Sequence, residues 1–87
     1  MKLYRTTNNH YFVKDDNVKI KVARGFSQTV EIRGGDFDGI YDLNYAGIVY
    51  DSGKREWDEE LGKYFYPYAP EDVVNYITRV FETISDK

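Results

Sequence analysis

His10 is the only histidine in the 87-residue chain, and there is no cysteine. Nucleophilic and general-base catalysis rest on a thiol or hydroxyl held against a base, most often an imidazole. This imidazole stands between Asn9 and Tyr11 at the start of a strand-like stretch, where a structural His is expected. Ser27, Ser52 and Ser85 fall in turn-like or terminal settings, and none sits in a G-x-S-x-G elbow. Zinc chemistry, which draws on Cys/His clusters, has no ligand set here. The spacing Asp36-x-Asp38-Gly39-x-x-Asp42 offers oxygen ligands for calcium, but Ile40 stands at the fifth loop position and the Gly comes too early for an EF-hand. Glu56, Asp58, Glu59 and Glu60 form an acid run of the kind that covers solvated surface. No two carboxylates are singled out as a glycosidase pair. The chain is expected to be no enzyme, and to hold no metal or cofactor.

Two other sets of residues suit binding rather than catalysis, and they separate by charge. Residues 1–33 carry seven Lys/Arg against three acids, whereas residues 34–87 carry five against twelve, within a formal net charge of −3. In the basic part, Lys19, Lys21 and Arg24 with the loop aromatic Phe26 match the cations and stacking ring of a single-strand nucleic-acid binder. Arg24-Gly25-Phe26 also fits the first three positions of the RNP1 motif of RNA-recognition domains, but Gln28 and Glu31 replace later aromatics and the fit ends there. The acidic part contains seven tyrosines. Tyrosine gives rigid, amphipathic contact area, and long-range fields select charge-complementary partners. Asp36, Asp38, Asp42, Trp57, Asp58, Glu59, Glu60, Tyr64 and Tyr66 are therefore the expected contact set for a basic protein partner. Tyr64, Tyr66 and Tyr68 alternate, so an extended chain would put them on one face; part of this run is expected to anchor the core. Trp57 is expected either to cover the core or to anchor an interface.

The elements that must position these residues are short. Residues 2–6, 10–14, 18–23, 28–33, 37–43 and 46–50 read as strands, separated by Asn-Asn, Asp-Asn and Gly-Gly turn signals. In 18–23, Val18, Ile20 and Val22 face one way and Lys19 and Lys21 the other; in 28–33, Val30 and Ile32 face inward, and pairing brings Glu31 to the lysines. Gly39 within a strand signals a bulge or a close backbone approach. Residues 55–63 fit either a helical turn, with Trp57 and Leu61 four apart, or a short strand. Pro70, Glu71 and Asp72 open a helix over about 70–85, whose apolar face is Val73, Ile77, Val80 and Ile84, widened by Val74 and Phe81.

Eighty-seven residues suffice for one domain, taken as 1–87. No apolar run approaches the ~20 residues of a membrane-spanning helix, and the opening MKLYRTTNNH lacks a signal-peptide core, so a soluble, cytoplasmic chain is expected. The expected architecture is α+β: an antiparallel sheet of four to six short strands with one C-terminal helix packed on a face. A small SH3-like or OB-like barrel with an appended helix is the alternative. The expected function is non-catalytic docking of an acidic, Tyr-bearing surface on a basic partner. Size and charge are similar to those of the small acidic inhibitors of mobile elements, the anti-CRISPR and antirestriction proteins. The alternatives are single-strand nucleic-acid binding through the basic hairpins and a structural role in a phage particle or homo-oligomer.

Overall fold

Alternating apolar and polar residues build β1 (Lys2–Thr7), β2 (His10–Asp15), β3 (Val18–Ala23), β4 (Gln28–Arg33), β5 (Gly39–Leu43) and β6 (Val49–Asp51). The computed structural model describes residues 1–25, 27–44 and 46–85. The six strands form one antiparallel sheet in sequence order, each paired with its predecessor. The first two connections are two-residue turns in which Asn9 and Asp16 take positive φ (64° and 53°), a conformation that Asn and Asp tolerate. His10 Nδ1 donates to the Asn8 carbonyl at 3.0 Å, so the one imidazole secures the first of these turns.

The sheet is open. β1 and β6 lie at opposite edges and do not pair with each other, so the barrel alternative is not adopted. One face is instead closed by α1 (Glu71–Ser85), the single helix among the described residues. It starts beside Tyr41 and Asp51 and passes toward β1 and β2. Val73, Ile77, Val80 and Ile84 all point into the core, as their spacing predicts, and Val74 and Phe81 pack at its border. The facing sheet supplies Val13, Ile20, Val22, Val30, Ile32, Tyr41 and Val49. No helix among the described residues is long and apolar enough to cross a membrane.

The starts of β5 and β6 differ from the expected ones, and they, the expected close approach at Gly39 and the helix start each have a local physical cause. β5 starts at Gly39, not at residue 37, because Phe37 packs on Tyr76 instead (ring centroids 5.0 Å apart). Gly39 marks a close approach: a Cβ there would lie 3.0 Å from the Tyr41 hydroxyl, which donates to the Phe37 carbonyl. β6 starts at Val49, since Asn44 Oδ1 holds the Ala46 and Ile48 amides and keeps that stretch a loop. The helix begins at Glu71, one residue after Pro70, whose carbonyl accepts the Val74 amide.

Tyr76 also enters the core, and its hydroxyl donates to Asp15 Oδ2 at 2.8 Å. Burial, then this hydrogen bond to a carboxylate, pushes its phenol up to about 12 from the ordinary value of 10.0. Burial, followed by the charges of Asp51, Asp38 and Asp72, raises Tyr41 too. A phenol that holds its proton more tightly when folded contributes stability that is complete below pH ~10 and is lost as pH rises toward the folded value. Tyr76→Phe is expected to cost about 1.5–3 kcal/mol at pH 7, the worth of a hydrogen bond to a charged group. It should also make the alkaline loss of stability shallower between pH ~10 and ~12, with Tyr41 accounting for what remains. Urea unfolding at neutral and alkaline pH checks both.

Candidate partner-binding surface

Between β6 and the helix the chain leaves the sheet and returns to it. Its exit is fixed by Asp51, a buried acid whose Oδ1 accepts the Gly53 amide at 3.1 Å. The Ser52 hydroxyl and Gly53 amide both donate to the Ile40 carbonyl, at 3.1 and 3.2 Å, tying the exit to β5. The return is fixed by backbone bonds from Asp51 to Pro67 and from Ala69 to Val49, at 2.8 and 2.9 Å. Tyr50 and Tyr68 bridge and stack there, with rings 5.3 Å apart. The sheet edge at β6 is thereby covered rather than left open.

Between these roots stands a hairpin of β7 (Glu56–Asp58) and β8 (Lys63–Phe65), a separate two-stranded sheet. Residues 55–63 thus take the strand alternative and not the helical one. The turn decides the matter. Asp58 Oδ1 accepts the Glu60 and Leu61 amides at 2.9 and 3.1 Å, and its carbonyl accepts the Gly62 amide at 2.8 Å. Gly62 has φ +65°, a left-handed conformation open to glycine at no steric cost. A carboxylate spacing that suits a helix start here closes an i to i+4 turn that is not continued.

Pairing sets the two faces of the hairpin. Trp57 lies opposite Tyr64, so both rings share a face and meet edge-on, centroids 4.9 Å apart at 68°. Arg55 places its guanidinium 4.0 Å from the centre of the Tyr64 ring. Tyr64 is therefore held between a cation and an indole, yet stays 54% exposed, and Trp57 is 52% exposed. Neither joins the core cluster, so Trp57 does not act as a core lid. The other face carries Glu56, Asp58, Lys63 and Phe65. Glu59, Glu60 and the 66% exposed Leu61 form the tip. Tyr66 is exposed just beyond β8, and Tyr64, Tyr66 and Tyr68 all stay out of the core, contrary to the expectation that part of the run anchors it.

The expected acidic surface is not one patch. The hairpin gathers Trp57, Asp58, Glu59, Glu60 and Tyr64, with Tyr66 beside it. Asp36 and Asp38 lie in the β4–β5 connection and line a cleft at the helix start with Asp51, Lys54 and Asp72, a cleft that no hairpin acid lines. Asp38 also accepts the Gly34 amide at 2.6 Å, so its carboxylate closes that loop. Asp42 lies on the sheet face turned away from the helix, opposite Tyr50, and accepts the Thr29 hydroxyl at 3.4 Å. The expected acidic contact residues thus gather at the hairpin tip and, separately, at the cleft, with Asp42 apart from both.

The basic set also divides. Lys19 and Lys21 project from β3 on the helix-free face. Arg24 does not join them: its guanidinium lies 5.5 Å from both the Tyr11 and Phe81 rings, on the helix side, and its Nε donates to Gln28. Phe26 lies outside the described residues. Arg55, Leu61 and Phe65 lie outside the expected contact set; the fold-back that puts Arg55 over Tyr64, Leu61 at the tip and Phe65 opposite Glu56 has no signal in a single sequence. No protein-family model, characterised protein or solved structure matches the chain.

Proposed function

We propose that this protein is a non-catalytic docking module that uses the hairpin at residues 55–66 to hold a basic protein partner. One observation carries the reading: a contiguous Arg55–Tyr64–Trp57 group, half exposed, stands on an element with no core of its own. An isolated two-stranded hairpin is marginal in water. The Trp57–Tyr64 pair and the Arg55 contact steady it by only about 0.2–1 kcal/mol each, while both rings stay half exposed at a cost in solubility. Interfaces are where that arrangement is useful, because Trp, Tyr and Arg dominate binding hot spots and a ring already held in place loses little entropy on docking. The basic character of the partner follows from the charges. Residues 55–65 carry four acids against two bases, and Glu59 and Glu60 are exposed at the tip. Occupation of a nucleic-acid-binding surface, as small inhibitors of the anti-CRISPR or antirestriction type achieve, is the specific form proposed, on the analogy of size and charge.

The test is charge removal at the tip. Glu59→Gln with Glu60→Gln is expected to slow association severalfold and to reduce its salt sensitivity, because rim charges act mainly on encounter. Asp58 is left intact, since its carboxylate forms the turn. Stopped-flow or biolayer measurements at two salt concentrations read the effect. An association rate indifferent to both the double substitution and salt overturns the assignment of a basic partner.

A further inference from the structure

The helix-free face of the sheet brings together cations that lie far apart in sequence. Register places Lys2 opposite Lys14, Lys14 opposite Lys19, and Lys19 opposite Arg33. Four exposed cations therefore form one row across β1, β2, β3 and β4, about 14 Å long at the usual strand spacing. Like charges directly opposite one another destabilise a sheet. Edge protection explains a Lys on an outer strand, but Lys14 and Lys19 are on interior strands, where no edge needs blocking. Arg33 alone of the four has a carboxylate in contact, Glu31 at 3.0 Å; among the described residues Lys2, Lys14, Lys19 and Lys21 form no ion pair. Glu31 and Asp42 stand on this face, Asp16 borders it beside Lys14 and Lys19, and Asp38 shares a groove with Arg33; none of these acids is ion-paired with a lysine of the row.

Aromatic rings adjoin the row. Phe12 lies between Arg5 and Lys21 in the neighbouring register line, with the Arg5 guanidinium 5.1 Å from its ring centre. A bulge between Leu3 and Arg5 adds Tyr4 to the same side, 6.3 Å from the Phe12 ring and 49% exposed. Tyr4, Phe12, Lys19, Lys21, Glu31 and Arg33 line an open groove of about 250 Å³. Bulges commonly re-aim a side chain for function.

We infer that this face is a binding site for single-stranded nucleic acid, with the Lys2–Lys14–Lys19–Arg33 row on the phosphates and Tyr4 and Phe12 as the base-stacking platform. A polyanion relieves the in-register repulsion, and the adjoining rings supply what an inorganic polyanion cannot use. A duplex fits less well, because the major groove admits a two-stranded ribbon and this row spans four strands. The site is separate from the hairpin and does not depend on it.

Fluorescence anisotropy with labelled oligothymidylate and oligouridylate of about 15 nucleotides tests it without any protein partner. Four phosphate contacts predict affinity roughly 50-fold lower at 200 mM than at 50 mM salt. Tyr4→Ala should weaken binding about tenfold with the salt slope unchanged. Lys14→Thr with Lys19→Thr should weaken binding and flatten the slope, while raising the melting temperature by removing repulsion. A purely structural row gives the opposite in thermal melts, a lower melting temperature, with no change in binding. Tighter binding of either oligonucleotide identifies the strand chemistry. No binding at 50 mM salt, equal binding of a duplex, or equal binding of heparin together with indifference to Tyr4→Ala overturns the inference.

Discussion

Val80→Asp should leave the chain unfolded at room temperature. Val80 is fully buried on the helix face that closes the sheet, among Ile20, Ile77, Ile84 and the other apolar residues of one core. Burying a carboxylate there costs several kcal/mol even after relaxation, and the lost apolar burial adds about 1.5–3 kcal/mol. An 87-residue domain has a total stability of only about 4–13 kcal/mol. Protonation offers little escape, since a neutral acid in this position still lacks a hydrogen-bond partner. Ile77→Ala at a neighbouring core position should cost about 2–5 kcal/mol and stay folded. Thr78→Asp, one residue away on the exposed side, should stay within about 0.5 kcal/mol of the parent. Circular dichroism melts of the three variants check the whole gradient; equal melting temperatures for Val80→Asp and Thr78→Asp contradict the packing of the helix.

The second large effect falls on partner affinity and not on the fold. Trp57→Ala and Tyr64→Ala should each weaken partner binding by 2 kcal/mol or more, about thirtyfold, as expected for a central aromatic anchor. The double variant should lose less than the product of the two, because the rings touch at 4.9 Å and share one environment. Both residues lie outside the core, so melting temperatures should change little. Arg55→Lys is a sharper probe of the same group. A planar guanidinium 4.0 Å over a ring stacks, whereas an ammonium does not, so the substitution should loosen Tyr64 without altering charge.

Sequence patterning makes the framework legible wherever one face is buried. β3 and β4 fall where the pattern places them because Val18–Ala23 and Gln28–Arg33 alternate cleanly over a helix-covered core. The helix is legible from apolar spacings of four, three and four. Tyr76 is not, since its hydroxyl marks it as amphipathic, and its burial depends on Asp15, 61 positions away. Residues 55–63 stay ambiguous for the same kind of reason. Trp57 and Leu61 suit a helical turn, and only the three amides gathered by Asp58 show that the chain folds back.

Charge is the least legible property. Division of the chain at residue 33 suggests one basic and one acidic surface, but strand register sorts side chains by face and not by position in the chain. Lys2 and Arg33, at opposite ends of the basic part, finish in one row. Arg24 leaves Lys19 and Lys21 because it follows the strand end and lies over Tyr11 and Phe81. The acids divide among the hairpin tip, the helix-start cleft and the open sheet face, and the hairpin keeps its share beside the exposed Trp57 and Tyr64.

Site-specific photocrosslinking tests the docking role of the hairpin most directly. A benzophenone amino acid at Tyr66, beside the stack, is compared with one at Asn75, exposed on the helix, in lysate from the source cells. The hairpin position should yield one dominant adduct to a basic protein, suppressed by excess parent chain but not by excess Trp57→Ala/Tyr64→Ala chain. The same adducts from both positions, or equal suppression by parent and double variant, would contradict it.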